Sequence, residues 1–273
     1  MPLTRAQVRC VLSIAGSDSG GGAGLAADLK TFLSHGVHGT VAVTCVTAQN
    51  TLGVQAIQRI SADLVRAQIV SVLDDLAPEV AKTGFLAGME AIEAIETVAD
   101  RLPPLVVDPV CVNKHGRPIL DEETLAAFRR VLLPRAVLVT PNLDEAALLT
   151  GRAVHSDDDM ADAAHSLLAA GVHAVLVKGG RLGGNRSPDL LLLHDGRQIW
   201  LDAPRVQTTA VHGTGDTLAA AIAARLAQGA PMEAAVRLAK EYVTACLHQA
   251  LEIGHGQGPV GHVPAPPYQD GAS

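Results

Sequence analysis

The chain has 273 residues, enough for one large α/β domain or two small ones, and a net charge of −7 at neutral pH. That charge argues against a nucleic-acid backbone or an anionic membrane as the main partner, because both would repel it. Apolar residues make up 48% of the chain and aromatic residues only 2%, so the core has to be built from Val, Leu, Ile and Ala, packed as helices on a sheet rather than as an aromatic-rich sandwich.

Val8 to Ile14 is an apolar, β-branched run that reads as a buried strand. It ends in Ala15-Gly-Ser-Asp-Ser-Gly-Gly-Gly-Ala-Gly24, followed by the helical stretch Leu25 to Leu33, a strand–loop–helix layout suited to a ligand. The loop matches neither G-x-x-x-x-G-K-[ST] nor G-x-G-x-x-G, which leaves a flexible turn open as a reading. Asp18 and Asp28 nevertheless stand on the loop and its helix, where polar substrate groups would be held.

Val41 to Val46 is the next strand candidate and leads into Thr47-Ala-Gln-Asn-Thr51. Val54 to Ile60 alternates weakly and is expected to pair at a sheet edge. Ser61 reads as the N-cap of a helix ending near Ala77-Pro78. Val80 to Thr83 and Leu105 to Val107 are short strands separated by a helix over Met89 to Arg101. The second strand runs into Asp108-Pro109-Val110, which places a carboxylate where open α/β sheets bind ligands.

Ala136 to Thr140 is a further strand, followed by Pro141-Asn-Leu-Asp-Glu145. Asn142 and Glu145 are spaced as a capping box, which needs no ligand. Ala174 to Val177 carries Lys178-Gly-Gly180 at its end, either a cation for a phosphate or a solvated turn. Leu190 to Leu193 and Gln198 to Leu201 form a hairpin across Asp195-Gly196. The turn from His212 to Asp216 then enters an alanine-rich helix. Gly213 and Gly215 allow close backbone approach there, and the first-turn amides make an anion site. Asp216 is either a base or a first-turn residue that complements the helix dipole. Met232 to Leu247 is the last helix.

The four cysteines (Cys10, Cys45, Cys111, Cys246) form no C-x-x-C pair and read as reduced thiols of a cytoplasmic protein. No export signal is expected from the opening residues, and no apolar run of spanning length occurs. The alternation of strands and helices implies one α/β domain over residues 1–263, three-layered, with a central, mainly parallel sheet flanked by helices; residues 264–273 are expected to be a disordered tail. Loop 16–24, Asp108, Asn142 with Glu145, Lys178 and 212–216 all follow strands, so a parallel sheet gathers them along one edge. Together they supply carboxylates for Mg²⁺, a cation, an amide cradle and a base, the parts that phosphoryl transfer needs.

These stretches carry a resemblance. With Ala27-Asp-Leu-Lys-Thr31, His212-Gly-Thr-Gly215 and Gly254-His-Gly-Gln-Gly-Pro-Val260 added, the chain resembles the ribokinase-like superfamily from residue 8 to about 262. Within it, the chain looks like the hydroxymethylpyrimidine/phosphomethylpyrimidine kinases of thiamine biosynthesis. The resemblance implies a pyrimidine held by Gly16, Asp28, Gln49 and Val110. It implies Mg-ATP against Asp108, Asn142, Glu145, Lys178 and Gly213 to Gly215, including Thr214. Asp108 and Glu145 would serve Mg²⁺, Asp216 and Lys178 would act at the reacting groups, and a monovalent cation and a homodimer are further expectations.

Two positions depart from the family pattern. Asp216 stands where Cys usually follows His-Gly-Thr-Gly, and Ala26 stands where Gln usually lies two residues before the helix Asp. Asp in the turn is the habit of pyridoxal kinases and sugar kinases, so a pyridoxal/pyridoxine kinase is the alternative reading. A non-catalytic nucleotide- or vitamin-binding regulator would be expected to lack Glu145, Lys178 or Asp216, and all three are present.

Overall fold

Every residue of β1 (Cys10–Ala15) is buried, as a strand covered on both faces requires, and β2 (His38–Val43) and β5 (Val80–Thr83) flank it in parallel. The sheet continues in parallel through β6 (Leu105–Val107), β7 (Ala136–Val139) and β8 (Ala174–Lys178). An antiparallel hairpin, β9 (Asp189–Leu193) with β10 (Gln198–Leu201), finishes one side, giving the order β10-β9-β8-β7-β6-β5-β1-β2. The computed structural model describes residue 4 and residues 7–113 and 115–266.

Alternate residues of each strand feed two cores. Val11, Val106 and Leu176 face one side, with α1 (Gly24–Ser34), α7 (Thr214–Ala227) and α8 (Met232–His248) packed over them. Leu12, Val107 and Val177 face the other, under α2 (Ala62–Asp75), α3 (Met89–Thr97), α4 (Glu122–Val131), α5 (Leu143–Thr150) and α6 (Asp157–Ala169). The expected three-layer, mainly parallel architecture is therefore the one the chain adopts. Alanine explains how α7 gets so close to the sheet: Ala219, Ala220, Ala221, Ala223 and Ala224 are all fully buried. Among the described residues no helix is long and apolar enough to cross a membrane.

Several boundaries differ from the sequence reading. The run Val41 to Val46 breaks at Thr44, whose amide donates to Ala15 O and whose hydroxyl donates to Phe85 O, so the chain leaves the main sheet there. Beyond Thr44 the chain forms a separate antiparallel ribbon, β3 (Cys45–Asn50) with β4 (Gly53–Arg59), rather than an edge strand. The helix expected over Met89 to Arg101 ends at Thr97, with a 3₁₀ turn at Ala99–Arg101. The sequence reading assigns no helix to 111–135 or 151–173, yet α4 and α6 form there, N-capped by Asp121 and Ser156. Of the tail expected from residue 264, Ala265 N donates to Ser34 O and Arg225 donates to Pro266 O, so 264–266 are held against α1 and α7. Residues 267–273 lie outside the described residues.

Because β10 runs parallel to β8, the loops after β1, β5, β6, β7, β8 and β10 all emerge at one edge. Gly213 closes the gap between two of them. Its φ is +82°, and a methyl group there would collide with the carbonyl oxygen of Gly22. Gly213→Ala therefore meets both left-handed strain, about 1 to 3 kcal/mol, and a backbone clash. The expected outcome is a melting temperature lowered by several degrees together with loss of activity. A variant that melts and turns over like the parent would contradict this packing.

Candidate active site

Asp18 organises the glycine loop from within. Its carboxylate accepts from the amides of Gly20 (2.8 Å), Gly22 (3.0 Å) and Ala23 (2.9 Å) and from the imidazole Nε2 of His212 (2.8 Å). Burial works against its charge, but His212 and the amides outweigh it and hold the carboxyl below its ordinary range. Asp18 thus shapes the loop, and it also lines the larger of the two cavities that open on this edge. The ribbon is clipped to the same loop: Thr47 N donates to Ser17 Oγ, and Gln49 N donates to Ser19 Oγ at 2.7 Å.

Two cavities open on the shared edge. The first, of about 790 Å³, is lined by Gly16, Gln49, Phe85, Val110, His212 and Asp216 among others. The second, of about 360 Å³, is lined by Asn142, Lys178, Thr214, Gly215, Lys240 and Leu247 among others. The N-terminus of α7 is the wall between them. Its first intrahelical bond runs from Thr217 N to Gly213 O, so the amides of Gly215 and Asp216 precede the hydrogen-bond ladder and are oriented for an anion.

Beside this wall lie two buried charge clusters. In one, Lys178 Nζ donates to Asp108 Oδ1 at 3.0 Å and lies 3.9 Å from Glu145 Oε2, while Thr140 Oγ1 donates to the same Asp108 oxygen at 2.9 Å. Burial disfavours every charge here, yet Lys178 and Lys82 hold Asp108 below its usual range, and the two carboxylates hold Lys178 above its own. Burial pushes Glu145 up to about 7, against the pull of Lys178 and with repulsion from Asp108. Glu145 also completes a capping box: its Oε2 accepts from Asn142 N at 2.7 Å, and Asn142 Oδ1 accepts from Glu145 N at 3.0 Å. The capping box expected of Asn142 and Glu145 is therefore formed, and the same carboxylate also faces Lys178.

The second cluster holds a correction. Asp28 is expected to contact a substrate, but its side chain is completely buried and does not line the first cavity. Ser13 Oγ donates to its Oδ2 at 2.5 Å, and Lys82 Nζ donates to its two oxygens at 2.9 and 3.0 Å. An ammonium rising from β5 faces Asp28 and draws its carboxylate into the layer behind the cavity. Lys82 also reaches Asp216 Oδ1 at 3.5 Å. Burial opposes its charge, but Asp28, Asp216 and Asp108 hold it protonated, above its ordinary range.

Most of the other expected residues come together. Gly16, Gln49, Val110, Gly213 and Asp216 line the first cavity, and Asn142, Lys178, Thr214 and Gly215 line the second. Asp108, just after β6, and Glu145, on α5, are buried, with Lys178 in contact with Asp108. The sequence reading passed over Lys82 and the His212 side chain. A lysine inside the buried run Val80 to Thr83 is a usable signal, since such a residue has to be paired. A third, shallow groove on the opposite edge carries His165, His173 and His194, and among the described residues no group of three or more His, Cys, Asp or Glu is arranged to hold a metal.

Comparison with known proteins agrees with this geometry. The model of the phosphomethylpyrimidine kinase family matches residues 18–261. A hydroxymethylpyrimidine/phosphomethylpyrimidine kinase of Streptomyces coelicolor is 48% identical over 254 residues, covering 92% of this chain and 93% of its own length. Among solved structures, an ADP complex of Bacillus subtilis pyridoxal kinase superposes with a TM-score of 0.87 at 36% identity, covering 93% of this chain and 97% of that one. A phosphomethylpyrimidine kinase of Clostridium difficile gives 0.76 at 38% identity, covering 87% and 98%.

The raised Glu145 has a consequence for stability. Its folded value of about 7 lies above the ordinary 4.5, so its contribution is favourable below about pH 4.5 and lost as pH rises through 7. Glu145→Gln keeps an acceptor for Asn142 N and removes the charge. The nucleotide-free variant should therefore melt above the parent at pH 8, with the difference shrinking toward pH 5. Equal melting temperatures at both pH values would show that the carboxylate is not strained by burial.

Proposed function

The chain belongs to the phosphomethylpyrimidine kinase family, and from that premise we propose that it transfers the γ-phosphoryl group of ATP to the 5-hydroxymethyl oxygen of 4-amino-5-hydroxymethyl-2-methylpyrimidine, and then phosphorylates the resulting monophosphate. The observation that carries this reading is the meeting of two cavities at one helix N-terminus, with Asp216 facing the first and Thr214 and Gly215 facing the second. An acceptor and a phosphate donor placed in the two cavities have their reacting ends at the same wall.

In this reading the pyrimidine lies against Gly16, Gln49 and Val110, where the Gln49 amide can pair with a ring nitrogen or an exocyclic amine. The phosphates lie in the second cavity, toward the free first-turn amides of Gly215 and Asp216 and beside Thr214, Asn142 and Lys178. Asp216 takes the hydroxyl proton as the oxygen attacks the γ-phosphorus. The new O–P bond forms in line with the breaking bond to the β-phosphate, and ADP leaves. The α7 amides and Lys178 face the charge that develops on the transferring group.

Mg²⁺ fits the residues present. Asp108 and Glu145 are hard oxygen donors on neighbouring elements, and the two clusters hold four carboxylates (Asp28, Asp108, Glu145, Asp216) against two ammonium groups (Lys82, Lys178), an excess of negative charge. Such an ion takes one or two protein carboxylates and fills its remaining positions from phosphates and water. Asp108 and Glu145 would hold it, and it would neutralise phosphate charge.

Pyridoxal is the second acceptor worth measuring, because the pyridoxal kinase of Bacillus subtilis shares this fold at 36% identity. Release of ADP with the hydroxymethylpyrimidine, its monophosphate and pyridoxal tests the proposal. It is expected to give the highest kcat/KM with a pyrimidine. A preference for pyridoxal, or no ADP with any acceptor, would overturn it.

Asp216 also sets an expectation for the two steps. A neutral hydroxymethyl group benefits from a base, whereas a phosphate nucleophile is already anionic and needs none. A fixed carboxylate a few ångströms away repels that phosphate by about 1 to 4 kcal/mol. Asp216→Cys should raise the ratio of second-step to first-step kcat/KM about tenfold, equivalent to about 1.4 kcal/mol. A ratio that stays put or falls would contradict the electrostatic account.

A further inference from the structure

Lys82 is fully buried and lies outside both cavity linings, so it cannot touch a substrate in either. A buried ion pair is seldom retained for stability alone, because apolar side chains of similar volume stabilise a core as well or better. The Asp28–Lys82 pair is also anchored more firmly than a pair needs. Ser13 fixes one Asp28 oxygen at 2.5 Å, and the ammonium bridges both oxygens at 2.9 and 3.0 Å. What remains of the ammonium's donor capacity points to Asp216 Oδ1, 3.5 Å away, on the helix that separates the cavities. Gly84, on the same turn of chain, leaves this approach open: a methyl group there would stand 3.0 Å from Lys82 Nζ and 3.6 Å from Asp216 Oδ1.

We propose that Lys82, braced by Asp28 and Ser13, is a positioning residue for the catalytic carboxylate: it engages Asp216 Oδ1 from behind and leaves the other oxygen for the acceptor hydroxyl. The inference rests on the assignment of Asp216 as the base. It gives Asp28 a place in the reaction different from the substrate contact expected of it. Water screens the bracing pair little, since Lys82 and Asp28 are both 0% exposed at the side chain, while Asp216, at 15%, keeps a face to the cavity. The other charged groups that face the pair are Asp108, beyond β6, and Lys178, at the end of β8. Neither is altered in the variants that test the proposal.

The test uses a charge-neutral replacement, Lys82→Met together with Asp28→Asn, which removes one positive and one negative charge and leaves no buried ion alone. With saturating ATP and pyrimidine, the acid limb of kcat should move up by about one pH unit or more, the effect of withdrawing an ammonium from beside a carboxylate. The KM values should change by less than about twofold, because no substrate contact is lost. Asp28→Asn alone leaves the ammonium to Asp216 and should move the limb in the opposite direction. It decides the matter by itself if the paired variant does not fold. An acid limb that stays put, or moves the same way in both variants, overturns the proposal. Asp216→Asn is measured alongside: wild-type kcat in that variant overturns both the base assignment and this inference, whereas an inactive Asp216→Asn with an unmoved limb in the paired variant overturns this inference alone.

Discussion

Two lysines, Lys82 fully buried and Lys178 half-buried, hold the site together. Lys82 rises from β5 toward Asp28 and Asp216, and Lys178 leaves the end of β8 toward Asp108 and Glu145. Each ammonium joins carboxylates from elements far apart in the chain, and without it those carboxylates would face one another across a poorly screened space. The penalty is visible in Glu145, which burial lifts to about 7 even with Lys178 nearby. A core chosen only for stability would not concentrate four carboxylates in this way. The arrangement makes sense once a phosphate-bearing ligand and a hard cation are added to the balance.

The parallel sheet is what makes the concentration possible. Its order places the ends of β1, β5, β6, β7 and β8 side by side, and the β9–β10 hairpin returns the chain to the same edge in time to start α7. The alanine face of α7 lets the helix lie close to the strands, and the left-handed Gly213 lets its first turn rest on the glycine loop. One helix N-terminus can then serve both cavities. Asp18 and His212 tie the loop to the turn that precedes α7, so the acceptor side and the donor side share a common support.

Much of this was legible in the sequence. The β-branched runs mark the strands, and the polar residues just after them mark the edge, since in a parallel sheet that is where strand ends gather. The capping box at Asn142 and Glu145 could be read from spacing alone; that Glu145 also meets Lys178 could not. Lys82 is the clearest omission. Nothing within its own strand says where the ammonium goes, because its partners lie 54 and 134 residues away. The same holds for Asp28: helix position puts it near the site, but Lys82 and Ser13, not readable from that position, hold its carboxylate buried and outside the cavity lining. The helix α4 is legible in part. Leu125, Phe128 and Val131 follow helical spacing behind an Asp121 cap, but charged residues at 122, 123, 129 and 130 mask the pattern.

The central claim is that Asp216, braced from behind and facing the first cavity, accepts the proton of the acceptor hydroxyl. Its most direct test is the kcat of Asp216→Asn for the two successive phosphorylations, measured separately at neutral pH. The account predicts that the first falls by about a hundredfold or more, the usual contribution of a general base, while the second falls far less or rises, because its nucleophile carries no proton to remove. An equal loss in both steps would contradict it, and would make the carboxylate a feature of the site's architecture rather than of its proton transfer.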